Sequence, residues 1–143
     1  MLEMEVPAVI LSGGQSRRMD RNDKAFLSIS NQTLLEIVVD RLQRQAPRVA
    51  INTNSNNPKY AQHDLPILRD QIEGFLGPLA GILTAMKWAD DLGYKTVATV
   101  AVDTPLFPKN LLKELIRKMK VSHSDIVFAA SASDNKKKKV LHP

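Results

Sequence analysis

Residues 11–24 read Leu-Ser-Gly-Gly-Gln-Ser-Arg-Arg-Met-Asp-Arg-Asn-Asp-Lys and follow directly on the apolar run Val6 to Ile10. Paired glycines at the exit of a strand, Gly13 and Gly14, free the backbone to turn and to aim N–H groups at anionic oxygens. Arg17, Arg18 and Lys24 add fixed positive charge within reach. Such a loop suits the phosphates of a nucleoside triphosphate. It matches neither Gly-Lys-Ser/Thr at phosphate-loop spacing nor Gly-x-Gly-x-x-Gly, and a glycine pair taken alone fits a plain turn as well.

The elements that must position this loop alternate in type. Val6 to Leu11 is a continuous apolar run, the pattern of a buried parallel strand. Thr33 to Ala46 places Leu34, Leu35, Ile37, Val38, Leu42 and Ala46 largely on one face, which predicts a helix capped near Thr33 and stopped before Pro47. Val49 to Ile51 reads as a second strand, Pro58 to His63 as a brief helix and Pro66 to Leu68 as a third strand. A loop from Gly74 to Gly81 leads into a helix carrying Leu79, Ile82, Leu83, Met86 and Ala89, with Trp88 in or beside the core. Thr96 to Val102 predicts a fourth strand, Leu111 to Met119 a helix, and Asp125 to Ala130 a fifth strand.

Strands alternating with helices imply an α/β fold: a Rossmann-like three-layer α/β/α sandwich with a mostly parallel sheet and right-handed crossovers. Ligands in such sheets bind beyond the carboxyl ends of the strands. The polar residues Ser12 to Arg18, Asn52, Asp70 and Asp103 all fall where strands end. Each separately also suits a turn or a helix start; their joint placement points to one ligand-binding edge.

At 143 residues the chain is read as one domain, 1–143, with no cysteine and hence no disulfide, thiolate nucleophile or cysteine-ligated metal. His63, His123 and His142 are scattered and lack ligand spacing for zinc. No Ser-His-Asp or Cys-His arrangement is evident. The acidic start Met1 to Glu5 lacks the features of a signal peptide, and no apolar stretch reaches the length of a membrane span, so a cytoplasmic protein without membrane association is expected. The net charge of +5 includes the run Lys136 to Lys139. No interleaving with aromatics accompanies it, so nucleic acid is not an expected partner, and a solvated loop is the favoured reading.

The complete string Leu-Ser-Gly-Gly-x-Ser-x-Arg-Met followed by Asp23-Lys24 closely resembles the signature of the molybdenum cofactor guanylyltransferases, within the nucleotidyltransferases that share a sheet of the nucleotide-diphospho-sugar transferase type. The resemblance continues through Asn52-Thr53-Asn54, Asp70, Gly77-Pro78-Leu79-Ala80-Gly81 and Asp103-Thr104-Pro105, over nearly all residues present. It implies that Leu11, Ser12, Gly13, Gly14 and Lys24 hold the triphosphate of GTP, that Asn52 and Asp70 contact its guanosine part, and that Asp103 binds Mg²⁺. Lys24, Arg18 and Asp103 are the implied catalytic groups. The implied acceptor is molybdopterin carrying molybdenum, whose phosphate receives GMP as pyrophosphate leaves. A monomer is compatible with all of this, and the sequence leaves oligomeric state open.

That chemistry is physically coherent. A phosphate nucleophile approaching a negative α-phosphate needs the repulsion cancelled by Mg²⁺ and fixed cations. A hard carboxylate such as Asp103 can serve the metal while leaving most of an octahedral shell to water and phosphate, or it can cap the following helix. Asp70 could accept two adjacent N–H groups of guanine. Gly77 to Gly81 fits either a tight turn into a helix or close backbone approach to a ligand. Asp20 and Ser12 stand where the family commonly has glycine and alanine. His142-Pro143 matches a point that in the family is followed by a strand, a helix and an asparagine-containing motif. The chain is therefore read as lacking the C-terminal part, with a related nucleotidyltransferase of another base or acceptor, such as a cytidylyltransferase, or a nucleotide-binding module without turnover as the alternatives.

Overall fold

Ala8, Val9 and Ile10 are fully buried, the condition of a strand covered on both faces. A computed structural model describes residues 4–13, 23–71 and 77–130. In it, strand β1 (Ala8–Leu11) lies between two parallel neighbours, β4 (Val49–Asn52) and β6 (Ala98–Ala101), and β4 pairs in turn with β5 (Ile67–Leu68). The order is β5-β4-β1-β6, all parallel, with Leu11 in register with both Asn52 and Ala101. A short antiparallel hairpin, β2 (Ser28–Ile29) with β3 (Gln32–Thr33), turns through Ser30 and Asn31, both at positive φ. This is the backbone that a two-residue hairpin favours, an element that the sequence pattern does not announce.

Alternation along the strands sorts the core into two layers. Ala8, Ile10, Val49, Ile51 and Val100 pack against α1 (Leu34–Gln43) through Leu35, Val38 and Leu42, and against α3 (Leu111–Ser122) through Leu112. Val9 and Ala50 point the other way, onto Ala85 of α2 (Pro78–Asp91), with Trp88 packed beside them as expected; the face α2 buries is the small-residue one, Ala80, Gly81, Ala85 and Ala89, whereas Leu79 and Met86 of the expected stripe are 49% and 54% exposed. Helices therefore cover both faces of a parallel sheet, as expected for the α/β/α class. No helix among the described residues is long and apolar enough to cross a membrane.

Helix α1 begins where the sequence placed it, because Thr33 and Glu36 form a reciprocal capping box: Glu36 N–H donates to Thr33 Oγ1 (3.1 Å) and Thr33 N–H to Glu36 Oε2 (2.8 Å). Its other end holds the loop before α3. Arg41 donates to Phe107 O (2.8 Å), while Gln45 donates to Pro108 O (3.2 Å) and accepts from Leu112 N–H (3.0 Å). Asn110 offers α3 no side-chain cap, so Gln45 supplies an acceptor for that N-terminus from the turn that follows α1.

One expected strand is absent. Asp125 to Ala130 runs as irregular backbone outside the sheet, with Ile126 and Phe128 65% and 70% exposed. A continuous apolar run such as Ile126 to Ala130 becomes a strand only when a partner edge pairs with it, and no described strand does so.

Two glycines around α2 separate the alternatives left open by the sequence. Gly77 precedes the helix at φ 76°, ψ −155°, a conformation essentially restricted to glycine, so it makes the turn. Gly81 makes a close approach, and to protein: a Cβ there would lie 2.6 Å from Asn52 Oδ1 and 3.0 Å from Leu11 Cδ2. Asn52 is only 3% exposed and its amide is tied down, so it cannot swing aside without breaking bonds. Gly81→Ala is expected to lower the free energy of unfolding by about 1–3 kcal/mol, the usual range for overpacking; denaturant titration of the two proteins measures it.

Candidate functional site

The parallel register brings three loops to one rim. Ser12 N–H donates to Asn52 O (2.8 Å) and Val102 N–H to Leu11 O (3.1 Å), so the chain leaves β4, β1 and β6 side by side. Neighbouring strands are about 4.8 Å apart, so these three exits span roughly 10 Å. Gly13 lies against the backbone of the adjacent exit, its Cβ direction 3.6 Å from Thr53 Cα and 3.7 Å from Asn54 N. Asp103 follows Val102 directly. The residues Leu11, Ser12, Gly13, Asn52 and Asp103 are thus gathered at the carboxyl edge, where the strand pattern placed them. Gly14, Arg17, Arg18, Asp20, Gly74 and Lys136 to Lys139 lie outside the described residues.

Asn52 and Asp70 form a single unit. The Asn52 amide donates to Leu68 O (3.1 Å) and to Asp70 Oδ1 (2.9 Å). Thr84 Oγ1, from α2, donates to the same oxygen (2.7 Å), and Asn54 Nδ2 donates to Asp70 Oδ2 (3.0 Å) while its Oδ1 accepts from Asp70 N–H (2.9 Å). Burial pushes the Asp70 carboxyl upward, but the bonds from Thr84, Asn52 and Asn54 outweigh it and hold the group below the usual carboxylate value. Of about four acceptor positions on a carboxylate, three are occupied. A two-point grip on guanine, as expected from the sequence, requires Oδ1 to give up Asn52 or Thr84; one N–H can be accepted at Oδ2 with the network intact.

A second unit links the glycine loop to Lys24. Tyr60, 2% exposed, stands on a 3₁₀ turn (Pro58–His63) capped by Asn57. Its hydroxyl lies 2.8 Å from Ser12 Oγ, 2.8 Å from Asp23 Oδ2 and 3.3 Å from Ser12 O. The two hydroxyl protons serve this set if Tyr60 donates to the Asp23 carboxylate and Ser12 Oγ–H donates to the phenol. Burial, with Asp23 assisting and Ser12 opposing, pushes the phenol up to about 12, so it stays a donor at any physiological pH. Asp23 also accepts from Ala25 N–H (3.3 Å), capping the 3₁₀ turn Lys24–Phe26 that carries the lysine. The Phe26 ring meets Tyr60 edge-on at 4.9 Å, and Lys59 lies over Phe26 at 5.4 Å. Lys24 is exposed, and its ammonium forms no ion pair among the described residues.

Asp103 is exposed and has no ion-pair partner among the described residues. It does not cap α3, which starts at Leu111 behind Asn110, so that alternative falls away. The described residues contain no group of three or more His, Cys, Asp or Glu able to hold a metal. A lone hard carboxylate at the ligand edge fits Mg²⁺, which keeps several waters and takes its other ligands from phosphate; it does not fit a metal held by the protein alone.

Sequence reasoning missed Tyr60, Thr84 and the carboxylate-binding part of Asn54. The partners of Tyr60 are 48 and 37 positions away and those of Asp70 14 to 18, separations with no periodic signature. The usable hints were small: a tyrosine behind an Asn-Pro start, and one hydroxyl within the apolar first half of α2.

The MobA-like NTP transferase domain matches residues 8–142. The chain is 43% identical over 122 residues to the molybdenum cofactor guanylyltransferase of Pasteurella multocida, covering 85% of this chain and 63% of that one. It is 36% identical over 128 residues to the protein of the same name from Rhodopseudomonas palustris, covering 88% and 60%. It therefore spans less than two thirds of the length of these relatives. Among solved structures it resembles molybdopterin-guanine dinucleotide biosynthesis protein A of Archaeoglobus fulgidus, with a TM-score of 0.63 at 18% identity over 82% of this chain and 57% of that one, a likeness of fold.

The depressed Asp70 pKa has a signed consequence. A carboxyl lowered on folding contributes stability that is complete above its ordinary value of 3.8 and is lost as pH falls through the lower folded value. The gap in melting temperature between the wild type and Asp70→Asn is expected to stay constant above about pH 5 and to close below 3.8; melts across an acid series give the answer.

Proposed function

Because the chain belongs to the MobA-like NTP transferase family, we propose that it binds Mg·GTP at the carboxyl edge of its sheet and forms the nucleotide-handling part of a molybdenum cofactor guanylyltransferase. The observation that carries this reading is the meeting of Ser12, Gly13, Asn52 and Asp103 on one rim, with Lys24 tied to it through Asp23 and Tyr60. In the proposed reaction a phosphate oxygen of a molybdopterin-type acceptor bonds to the α-phosphorus of GTP. The bond from that phosphorus to the bridging oxygen breaks, and pyrophosphate leaves. The acceptor is its own nucleophile, so the step requires no covalent intermediate on the protein. The acceptor's identity rests on the names of the relatives, since no group on the rim selects a pterin on physical grounds.

The chain's own groups divide the work by position. The backbone at Ser12 and Gly13, with Leu11 and Gly14, holds the polyphosphate, and Lys24 and Arg18 stabilise negative charge as it moves to the departing pyrophosphate. Asp70 meets the guanosine part from the neighbouring exit, and the buried Asn52, bonded to Asp70 and Leu68, acts on it by holding that carboxylate in place. Asp103 would hold Mg²⁺, which when bound supplies the charge neutralisation that lets two anionic phosphates approach. The one acceptor position left on Asp70 Oδ2 suits an N–H of guanine, and the paired amides around it restrict where the base can lie.

Titration calorimetry with GTP, CTP and UTP in Mg²⁺ tests the reading: GTP is expected to bind at least tenfold more tightly than either pyrimidine nucleotide, and equal affinities would remove guanine from Asp70. Asp103→Asn is expected to leave the melting temperature unchanged while abolishing the gain in GTP affinity on adding Mg²⁺. An unaltered magnesium response would take Asp103 out of the metal site.

A further inference from the structure

Ser12 and Asp23 are eleven positions apart in sequence, yet both touch the same hydroxyl, and neither belongs to the element that carries it. Tyr60 comes from the segment between β4 and β5, on the guanosine side of the rim, and its OH reaches Ser12 Oγ at 2.8 Å and Asp23 Oδ2 at 2.8 Å. Asp23 in turn caps the turn whose first residue is Lys24. Every bond in this link is buried or part-buried, and the ring beneath is held by Phe26. A structural tyrosine needs one partner for its hydroxyl. This one is shared between the start of the glycine loop and the residue just before the lysine.

Building on the nucleotide reading above, we propose that Tyr60 is a positioning residue for triphosphate binding: its hydroxyl fixes Lys24 relative to the Ser12-Gly13 backbone, so that cation and backbone donors meet the same polyphosphate. It touches no phosphate itself. Preorganised donors lose less freedom on binding than mobile ones, and the benefit falls on the phosphates that lie between the two ends. A ligand lacking β- and γ-phosphates gains little from it.

The test compares Tyr60→Phe with the wild type by titration calorimetry, using GTP and GMP in Mg²⁺. Phenylalanine keeps the ring contact with Phe26 and removes only the shared hydroxyl. GTP affinity is expected to fall about tenfold, the scale of losing a hydrogen bond to a charged group, while GMP affinity changes less than twofold. Asp23→Ala, which cuts the same link at its other end, is expected to show the same GTP-selective loss. The double variant is expected to lose no more than the weaker-binding single variant, as for residues acting through one link. A GTP affinity within twofold of wild type, or equal losses for GTP and GMP, overturns the positioning role while leaving the nucleotide site standing. Should Tyr60→Phe fail to fold, Asp23→Ala decides by the same criterion. A wild-type protein that binds neither nucleotide removes both this role and the nucleotide reading.

Discussion

Parallel pairing on both sides of β1 is the constraint from which the site follows. Because Leu11 is in register with Asn52 on one side and Ala101 on the other, Ser12, Thr53 and Val102 leave the sheet at the same level. The bonds Ser12 N–H to Asn52 O and Val102 N–H to Leu11 O carry that alignment one step past the strands. A slip of one residue would send Ile10 and Ile51 to the wrong layer and separate the loops, so the apolar core and the polar rim are specified by the same register.

The packing of α2 adds a second requirement. Gly81 lets the helix sit so low on Asn52 and Leu11 that no side chain fits between them, and this brings Thr84, one turn along, to Asp70 at 2.7 Å. The half-buried Asp70 carboxylate is thereby satisfied from three directions. Among the described residues no buried side-chain nitrogen or oxygen lacks a partner, although Ser12, Asn52 and Thr53 are all buried at the rim. Buried polar groups of this kind are costly unless bonded, so the rim's rigidity and its stability have a common source. The ion pairs of the described surface, Arg44 with Asp40 and Arg117 with Glu114, join well-exposed side chains and contribute little by comparison.

Much of the fold was legible because its causes are local. The run Ala8 to Leu11, the capping box at Thr33, the stop before Pro47 and the recurrence of Leu79, Ile82 and Leu83 each state their element within one or two turns of chain. The failures had distant causes. Asp125 to Ala130 is apolar and β-prone like a strand and is not one, because pairing depends on a neighbour. The Ser28 to Thr33 hairpin passed unnoticed because its strands are two residues each, too short to show a period. At the rim, residue types at strand ends pointed to Ser12, Asn52, Asp70 and Asp103, but not to how the side chains would engage one another. Asp70 was read as offering its whole carboxylate to a base, whereas most of it is spent on Asn52, Asn54 and Thr84.

By itself the sequence determined the alternation of the main strands and helices, the parallel α/β class and the sheet edge at which polar strand-end residues gather, because periodicity, caps and glycine placement act over a few residues. Only the tertiary structure decided that Gly81 serves a protein contact, that Asp103 caps no helix, and that Tyr60 joins Ser12 to Asp23. Those facts depend on groups tens of positions apart meeting within about 3 Å, and no local pattern encodes a distance across the fold.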